Sequence, residues 1–154
     1  MINSAGSHTG GTKNILVVDD TGNVADLMRE MLLSFGYQVQ VCLKVEDALA
    51  SYAPDKFDLV ITDYLMPRMN GVELAEAIKQ RSAAQRILLI TGSTFPMSER
   101  ATRPLPVNST LQKPFSVAEF QQAVAALLTT KTAQIVPHWP AQTDASRHDR
   151  RNQP

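Results

Sequence analysis

The sequence predicts an α/β domain built on one five-stranded parallel sheet with helices on both faces. Three observations carry that prediction. Short, unbroken apolar runs recur along the chain, and a strand buried on both faces of a parallel sheet reads in this way. Between them, apolar residues fall at helical spacing. Finally, the runs end abruptly at carboxylate, hydroxyl and ammonium side chains, as strands do when they point at a common edge.

The first run is Asn14-Ile15-Leu16-Val17-Val18, closed by Asp19-Asp20. Val24, Leu27, Met28, Met31, Leu32 and Phe35 then mark one stripe of an amphipathic helix, and Gly36 follows where a helix C-terminus favours glycine. Val39 and Val41 alternate with Gln38 and Gln40, which predicts a second, less buried strand. Ala48, Leu49 and Tyr52 mark a short helix stopped near Pro54. Leu59-Val60-Ile61 is the third strand, and it too ends at a carboxylate, Asp63. Pro67 and Gly71 punctuate the next loop, and Leu74, Ala75 and Ile78 give the following helix its apolar side.

Ile87-Leu88-Leu89-Ile90 is the fourth strand, ending at Thr91-Gly92. The stretch from Phe95 to Ser109 is the least regular, with Pro96, Pro104 and Pro106 confining any helix to about Met97–Arg103. Thr110-Leu111-Gln112 forms a short fifth strand before Lys113-Pro114. Ser116 and Glu119 make a capping box for a last helix with Val117, Phe120, Val124, Leu127 and Leu128 on its apolar side. Residues 1–13 read as a flexible leader, 14–131 as one folded domain, and 132–154 as a disordered tail. No internal repeat is visible.

Bulk properties narrow the classes. A chain of 154 residues, 44% of them apolar, suits one domain with tails. Lys plus Arg equals Asp plus Glu at 15 each, so the basic footprint of a nucleic-acid binder is absent. The single cysteine, Cys42, forms no internal disulfide, and no signal peptide is visible in the Gly/Ser/Thr-rich start. No stretch reaches the roughly 18 apolar residues of a membrane helix. A cytoplasmic protein without membrane or nucleic-acid partners is the expectation.

The chemistry follows from where polar residues fall. Strands one, three, four and five end at Asp19-Asp20, Asp63, Thr91 and Lys113, and ligands of open α/β sheets bind outside the carboxyl ends of strands. Three carboxylates at one edge repel one another unless a cation intervenes. A hard divalent ion with oxygen ligands answers this, and Mg²⁺ suits a site that must also hold phosphate. One carboxylate then serves as nucleophile towards phosphorus, while Lys113 and Thr91 stabilise the phosphoryl oxygens.

The chain resembles a two-component receiver domain, the phospho-accepting module of response regulators, from about Lys13 to Thr130. The matching residues are Ile15 to Asp20, Leu59 to Pro67 with Met69 and Gly71, Ile90-Thr91-Gly92, and Lys113-Pro114-Phe115. The resemblance implies a flavodoxin-like, doubly wound (βα)5 fold with strand order 2-1-3-4-5. It implies Asp63 as phospho-acceptor, Thr91 as switch hydroxyl and Lys113 as phosphate-pairing lysine. Asp20, Asp63 and the Leu65 backbone carbonyl would ligate Mg²⁺, with Asp19 acting through water and the Lys113-Pro114 bond cis. A sensor histidine kinase or a histidine phosphotransfer protein would supply the phosphoryl group, making the chain a regulatory phosphoprotein of a phosphorelay rather than an enzyme. A homodimer through the last helix and the 93–109 region is a further expectation.

Blander readings exist for each residue. Taken alone, Asp19-Asp20 is a helix-capping pair, Asp63 a turn residue, Thr91 a strand-end threonine and Lys113 a solvated loop lysine. Their joint register favours the site. His8, His138 and His148 are too scattered for a metal site. A magnesium-dependent phosphohydrolase is the enzymatic rival, but Leu65 stands where its general acid would be. The same residues also suit a receiver-like scaffold that is never phosphorylated, or a receiver module of a hybrid histidine kinase. The 23 residues after Lys131 are too few for a helix-turn-helix unit. Two departures from the family stand out: Thr110 replaces the usual aromatic before the lysine, and the proline-bounded 97–103 segment leaves little room for a helix. Residues 93–109 are accordingly expected to be the most mobile part of the domain.

Overall fold

The computed structural model describes residues 11–92 and 104–129. Five strands, β1 (Asn14–Val18), β2 (Gln38–Cys42), β3 (Leu59–Asp63), β4 (Ile87–Thr91) and β5 (Ser109–Gln112), form one sheet in the order β2-β1-β3-β4-β5. Every pairing is parallel, with Ile15 opposite Leu59 and Val39, Val60 opposite Ile87, and Leu88 opposite Ser109. The described helices are α1 (Gly22–Ser34), α2 (Val45–Ser51), α3 (Gly71–Arg81) and α4 (Val117–Thr129). The fold class and strand order expected from the sequence are both present.

Because successive strand residues point to opposite faces, the apolar runs divide into two cores. Leu16, Val18, Val60, Ile87 and Leu89 pack with Val45 and Ala48 of α2 and with Val72, Leu74, Ala75 and Ile78 of α3. Ile15, Val17, Leu59, Ile61, Leu88 and Ile90 pack with Met28 and Leu32 of α1 and with Phe120, Val124 and Leu127 of α4. The central strands β1, β3 and β4 are buried almost throughout, whereas edge strand β2 is half-buried over Val39–Val41.

Local signals account for the helix ends. Gly36, at φ +91°, follows α1 in the left-handed conformation that glycine adopts without steric cost. Ser116 and Glu119 form the expected capping box: the Ser116 N–H donates to Glu119 Oε2 at 2.7 Å, and the Glu119 N–H donates to Ser116 Oγ at 3.1 Å. The start of α3 carries a second box, which periodicity does not reveal. Asn70 Oδ1 accepts from the Val72 and Glu73 N–H groups, and Glu73 Oε2 accepts from the Asn70 N–H.

Three expectations need correction. Leu27 is 60% exposed, and Ala25 takes its place in the core. Leu27 lies about 100° round the helix from Met28, on the far flank of the apolar arc. Val117 is 56% exposed, since Phe115, stacked on Phe120 at 5.4 Å, fills that end of the core. The irregular stretch also ends earlier than Ser109. Val107 is buried, and the Asn108 N–H donates to the Ile87 carbonyl at 2.9 Å while Asn108 Oδ1 accepts from the Ile87 N–H at 2.9 Å. Residues 107–109 are thus anchored to β4. The short helix expected over 97–103, the tail from 132 with His138 and His148, and His8 in the leader lie outside the described residues.

Candidate functional site at the carboxyl edge of the sheet

β1 and β3 are adjacent, so their final residues emerge side by side at the carboxyl edge. Carboxylate oxygens of Asp19, Asp20 and Asp63 lie within 4.8 Å of one another. Asp19 is fully buried, Asp63 is 7% exposed and Asp20 is on the surface. The Asp19 backbone N–H donates to the Cys42 carbonyl at 3.2 Å, and its Oδ1 accepts from the Thr21 N–H at 2.8 Å. Its Oδ2 is buried without a hydrogen-bond partner. Burial, first, and then the neighbouring carboxylates push the Asp19 carboxyl above its usual range, partly opposed by the Thr21 N–H and Lys113.

Lys113 follows β5 and reaches back over the cluster. Its Nζ lies 2.9 Å from Asp63 Oδ1 and 3.9 Å from Asp19 Oδ2, and its backbone N–H donates to the Thr91 carbonyl at 2.7 Å. The peptide bond from Lys113 to Pro114 is cis. Thr91, 2% exposed, closes β4 one residue beyond Ile90, the cross-strand partner of Asp63. The structure therefore gathers Asp19, Asp20, Asp63 and Lys113 directly and sets Thr91 on the same edge. Leu65, two residues past Asp63, leaves its side chain 66% exposed.

The backbone behind Asp63 is held tightly. The Tyr64 N–H donates to the Ile90 carbonyl and the Gly71 N–H to the Tyr64 carbonyl, each at 2.8 Å. A Cβ on Gly71 would lie 2.7 Å from Leu89 Cδ1 and closer still to the Asp63 carbonyl oxygen. Only glycine lets α3 start this close to the end of β3.

Beside the cluster opens a groove of about 550 Å³, walled by Asp20, Lys44 and Glu46 on one side and by Met66, Pro67 and Arg68 on the other. Arg68 Nη1 donates to Glu46 Oε1 across it at 2.7 Å. Hydrogen bonding at its own backbone, and then Arg68, hold the Glu46 carboxyl below the usual carboxylate range. Sequence reasoning missed this pair, because no periodicity links residues on different loops.

A buried carboxylate with one oxygen lacking a hydrogen bond stands beside two others and an ammonium, so the class is a doubly wound α/β domain with a charged cluster at the carboxyl edge of its sheet. Residues 15–125 match the family model of the response regulator receiver domain, and the chain belongs to that family. It is 30% identical over 116 residues to the alkaline phosphatase synthesis transcriptional regulatory protein PhoP of Bacillus subtilis, covering 75% of this chain and 48% of that protein. It is 31% identical over 118 residues to the response regulator MprA of Mycolicibacterium vanbaalenii, covering 77% of this chain and 51% of that protein. The chain thus spans about half the length of these curated relatives.

Among solved structures, the response regulator TrrA from Thermotoga maritima, in complex with Mg²⁺-BeF, superposes with a TM-score of 0.68 at 31% identity. That match covers 76% of this chain and 100% of TrrA. Chemotaxis protein CheY4 of Vibrio cholerae superposes with a TM-score of 0.70 at 27% identity, covering 77% of this chain and 100% of CheY4. The chain is a CheY-like receiver domain, and its curated relatives are regulatory proteins by name. Among the described residues, no helix is long and apolar enough to cross a membrane.

Proposed function

We propose that this receiver domain accepts a phosphoryl group on Asp63 and signals by a conformational change. The observation that carries the reading is the buried Asp19 carboxylate, whose Oδ2 lacks a hydrogen-bond partner amid two more carboxylates while Lys113 pairs more closely with Asp63. A donor set of oxygens alone, with one oxygen buried and unused, fits a hard divalent cation. Asp20, Asp63 and the Leu65 backbone carbonyl would hold Mg²⁺, with Asp19 acting through water. When bound, the ion supplies charge neutralisation for the carboxylates and for the transferring phosphoryl oxygens.

The remaining steps belong to the chain. Asp63 presents a carboxylate oxygen to phosphorus, and Lys113 leaves its Asp63 contact partly to pair with the phosphoryl oxygens. Thr91 donates its hydroxyl proton to one of those oxygens, and that movement starts the output. Leu65 offers no proton to a leaving group, which argues against a phosphohydrolase. The donor is a sensor histidine kinase or a histidine phosphotransfer protein acting in the cytoplasm, and the same chemistry serves a free regulator or a receiver module of a hybrid kinase. The working unit runs over 14–131, and self-association would use the last helix and the 93–109 region.

The test is covalent labelling by acetyl phosphate, with and without Mg²⁺. Labelling should require the ion and disappear in Asp63→Asn. Undiminished labelling of that variant would assign the acceptor elsewhere, and steady turnover of a phosphate ester would replace the receiver reading with an enzymatic one.

A further inference from the structure

Lys113 is engaged by Asp63 and is shared with it when an anion arrives, so among the described residues the carboxylate cluster itself has no second cation to spare. The groove beside it does. Lys44 and Arg68 line its two walls, and Asp20 sits in the same groove. Arg68 is the central residue of a three-residue turn in which the Met69 N–H donates to the Pro67 carbonyl at 2.8 Å. Its φ of +70° is in the left-handed region, where a non-glycine residue is strained. Such strain persists only where the surroundings impose it, and it concentrates at functional positions. From this turn the guanidinium, 80% exposed, reaches the first turn of α2 and pairs with Glu46, itself 49% exposed. Exposed pairs of this kind contribute little and open readily.

We propose that Arg68 recognises the phosphoryl group of a small dianionic acyl phosphate entering this groove, and that Glu46 competes with that anion for the guanidinium. The pair thereby sets how readily the domain charges from free phosphodonor. This inference rests on the proposed function of Asp63. The planar guanidinium fork matches two phosphoryl oxygens as well as it matches a carboxylate, so the exchange conserves its hydrogen bonds. A cation at the rim also offsets the repulsion that three carboxylates exert on an incoming dianion, which is an effect on association rate. In the transfer itself, an Asp63 carboxylate oxygen bonds to phosphorus as the phosphorus–oxygen bond to acetate breaks. Acetate leaves with the electron pair, and no redox partner is needed.

The experiment measures Mg²⁺-dependent phosphorylation rates of the full chain with two donors: acetyl phosphate, a dianion, and phosphoramidate, whose net charge is smaller. With acetyl phosphate, Arg68→Ala should slow labelling by about threefold to tenfold, and Glu46→Gln should speed it by a similar factor. Arg68→Lys should recover part of the loss, and added salt should compress all the differences. With phosphoramidate, whose phosphoryl oxygens meet the same fork but whose net charge is smaller, each change should run in the same direction and be clearly smaller. Thermal midpoints should match throughout, since Arg68 and Glu46 are exposed and such a pair contributes little to stability. Equal rates for Arg68→Ala and the unsubstituted chain with acetyl phosphate, or equal losses with both donors, would overturn the inference and leave the Asp63 reading intact. Failure of the unsubstituted chain to label with either donor would remove the Asp63 reading and this inference together.

Discussion

Asp19 is the residue at which the cost of the site is concentrated. Its carboxyl is buried, one oxygen is unpartnered, and burial raises its affinity for a proton above that of the unfolded chain. A raised folded-state affinity gives stability that is fully present below the unfolded value, near 3.9, and is lost as pH rises. Without Mg²⁺ the charged Asp19 therefore destabilises the domain at neutral pH. Asp19→Asn should raise the metal-free thermal midpoint by a few degrees at pH 7, and by clearly less at pH 4. The same variant should lose most of the stabilisation that added Mg²⁺ gives the unsubstituted chain. Calorimetry at the two pH values checks both; an unchanged or lowered midpoint at pH 7 would contradict the argument. At this scale the sequence is highly legible, because Asp19, Asp20, Asp63, Thr91 and Lys113 each stand within two residues of a strand end. Arg68 and Glu46 are not, since 22 residues separate them and only the fold brings their loops together.

Among the elements, α3 bears most directly on Asp63. Its first residue, Gly71, lies against the Asp63 carbonyl, and its last turn carries Lys79, whose Nζ donates to the carbonyls of Ala83 and Gln85 and to Asn108 Oδ1. Three ammonium protons meet three acceptors, so α3 is tied to the β4 entry and to the residue before β5. Gly71→Ala forces a methyl group into backbone that cannot retreat without moving Asp63. Overpacking of this kind costs about 1–3 kcal/mol. We expect a loss of that size in urea denaturation, together with slower acetyl phosphate labelling under conditions where the variant is still folded. Normal labelling by a destabilised variant would mean that the strain relaxes into α3 rather than β3. Periodicity identifies the elements wherever a run is buried on both faces. It fails at margins such as Leu27 and Val117, where angle round a helix or distance past the sheet decides exposure. Asn70 shows the reverse case, a polar cap present in the sequence as Asn-x-x-Glu but hidden inside what reads as a loop.

For the whole molecule, the parallel order β2-β1-β3-β4-β5 means that none of the neighbouring strands is joined by a hairpin. Lys113 and Asp63, which touch, are 50 residues apart. Contacts of that separation form only after much of the chain has condensed. Interactions absent from the folding transition state slow unfolding and leave folding almost unchanged. Mg²⁺ with beryllofluoride should accordingly slow unfolding in denaturant by at least about tenfold, with refolding altered by less than about twofold. Stopped-flow measurement of both limbs tests this, and a matching acceleration of refolding would show that the site assembles early. Late closure of the carboxyl edge would have a consequence for signal fidelity. A copy with β5 unzipped would still display Asp63 but would lack Lys113, the lysine proposed to stabilise transfer. Phosphoryl transfer would then act as its own proofreader, so that newly made or heat-damaged molecules stay silent instead of competing with intact ones for the donor.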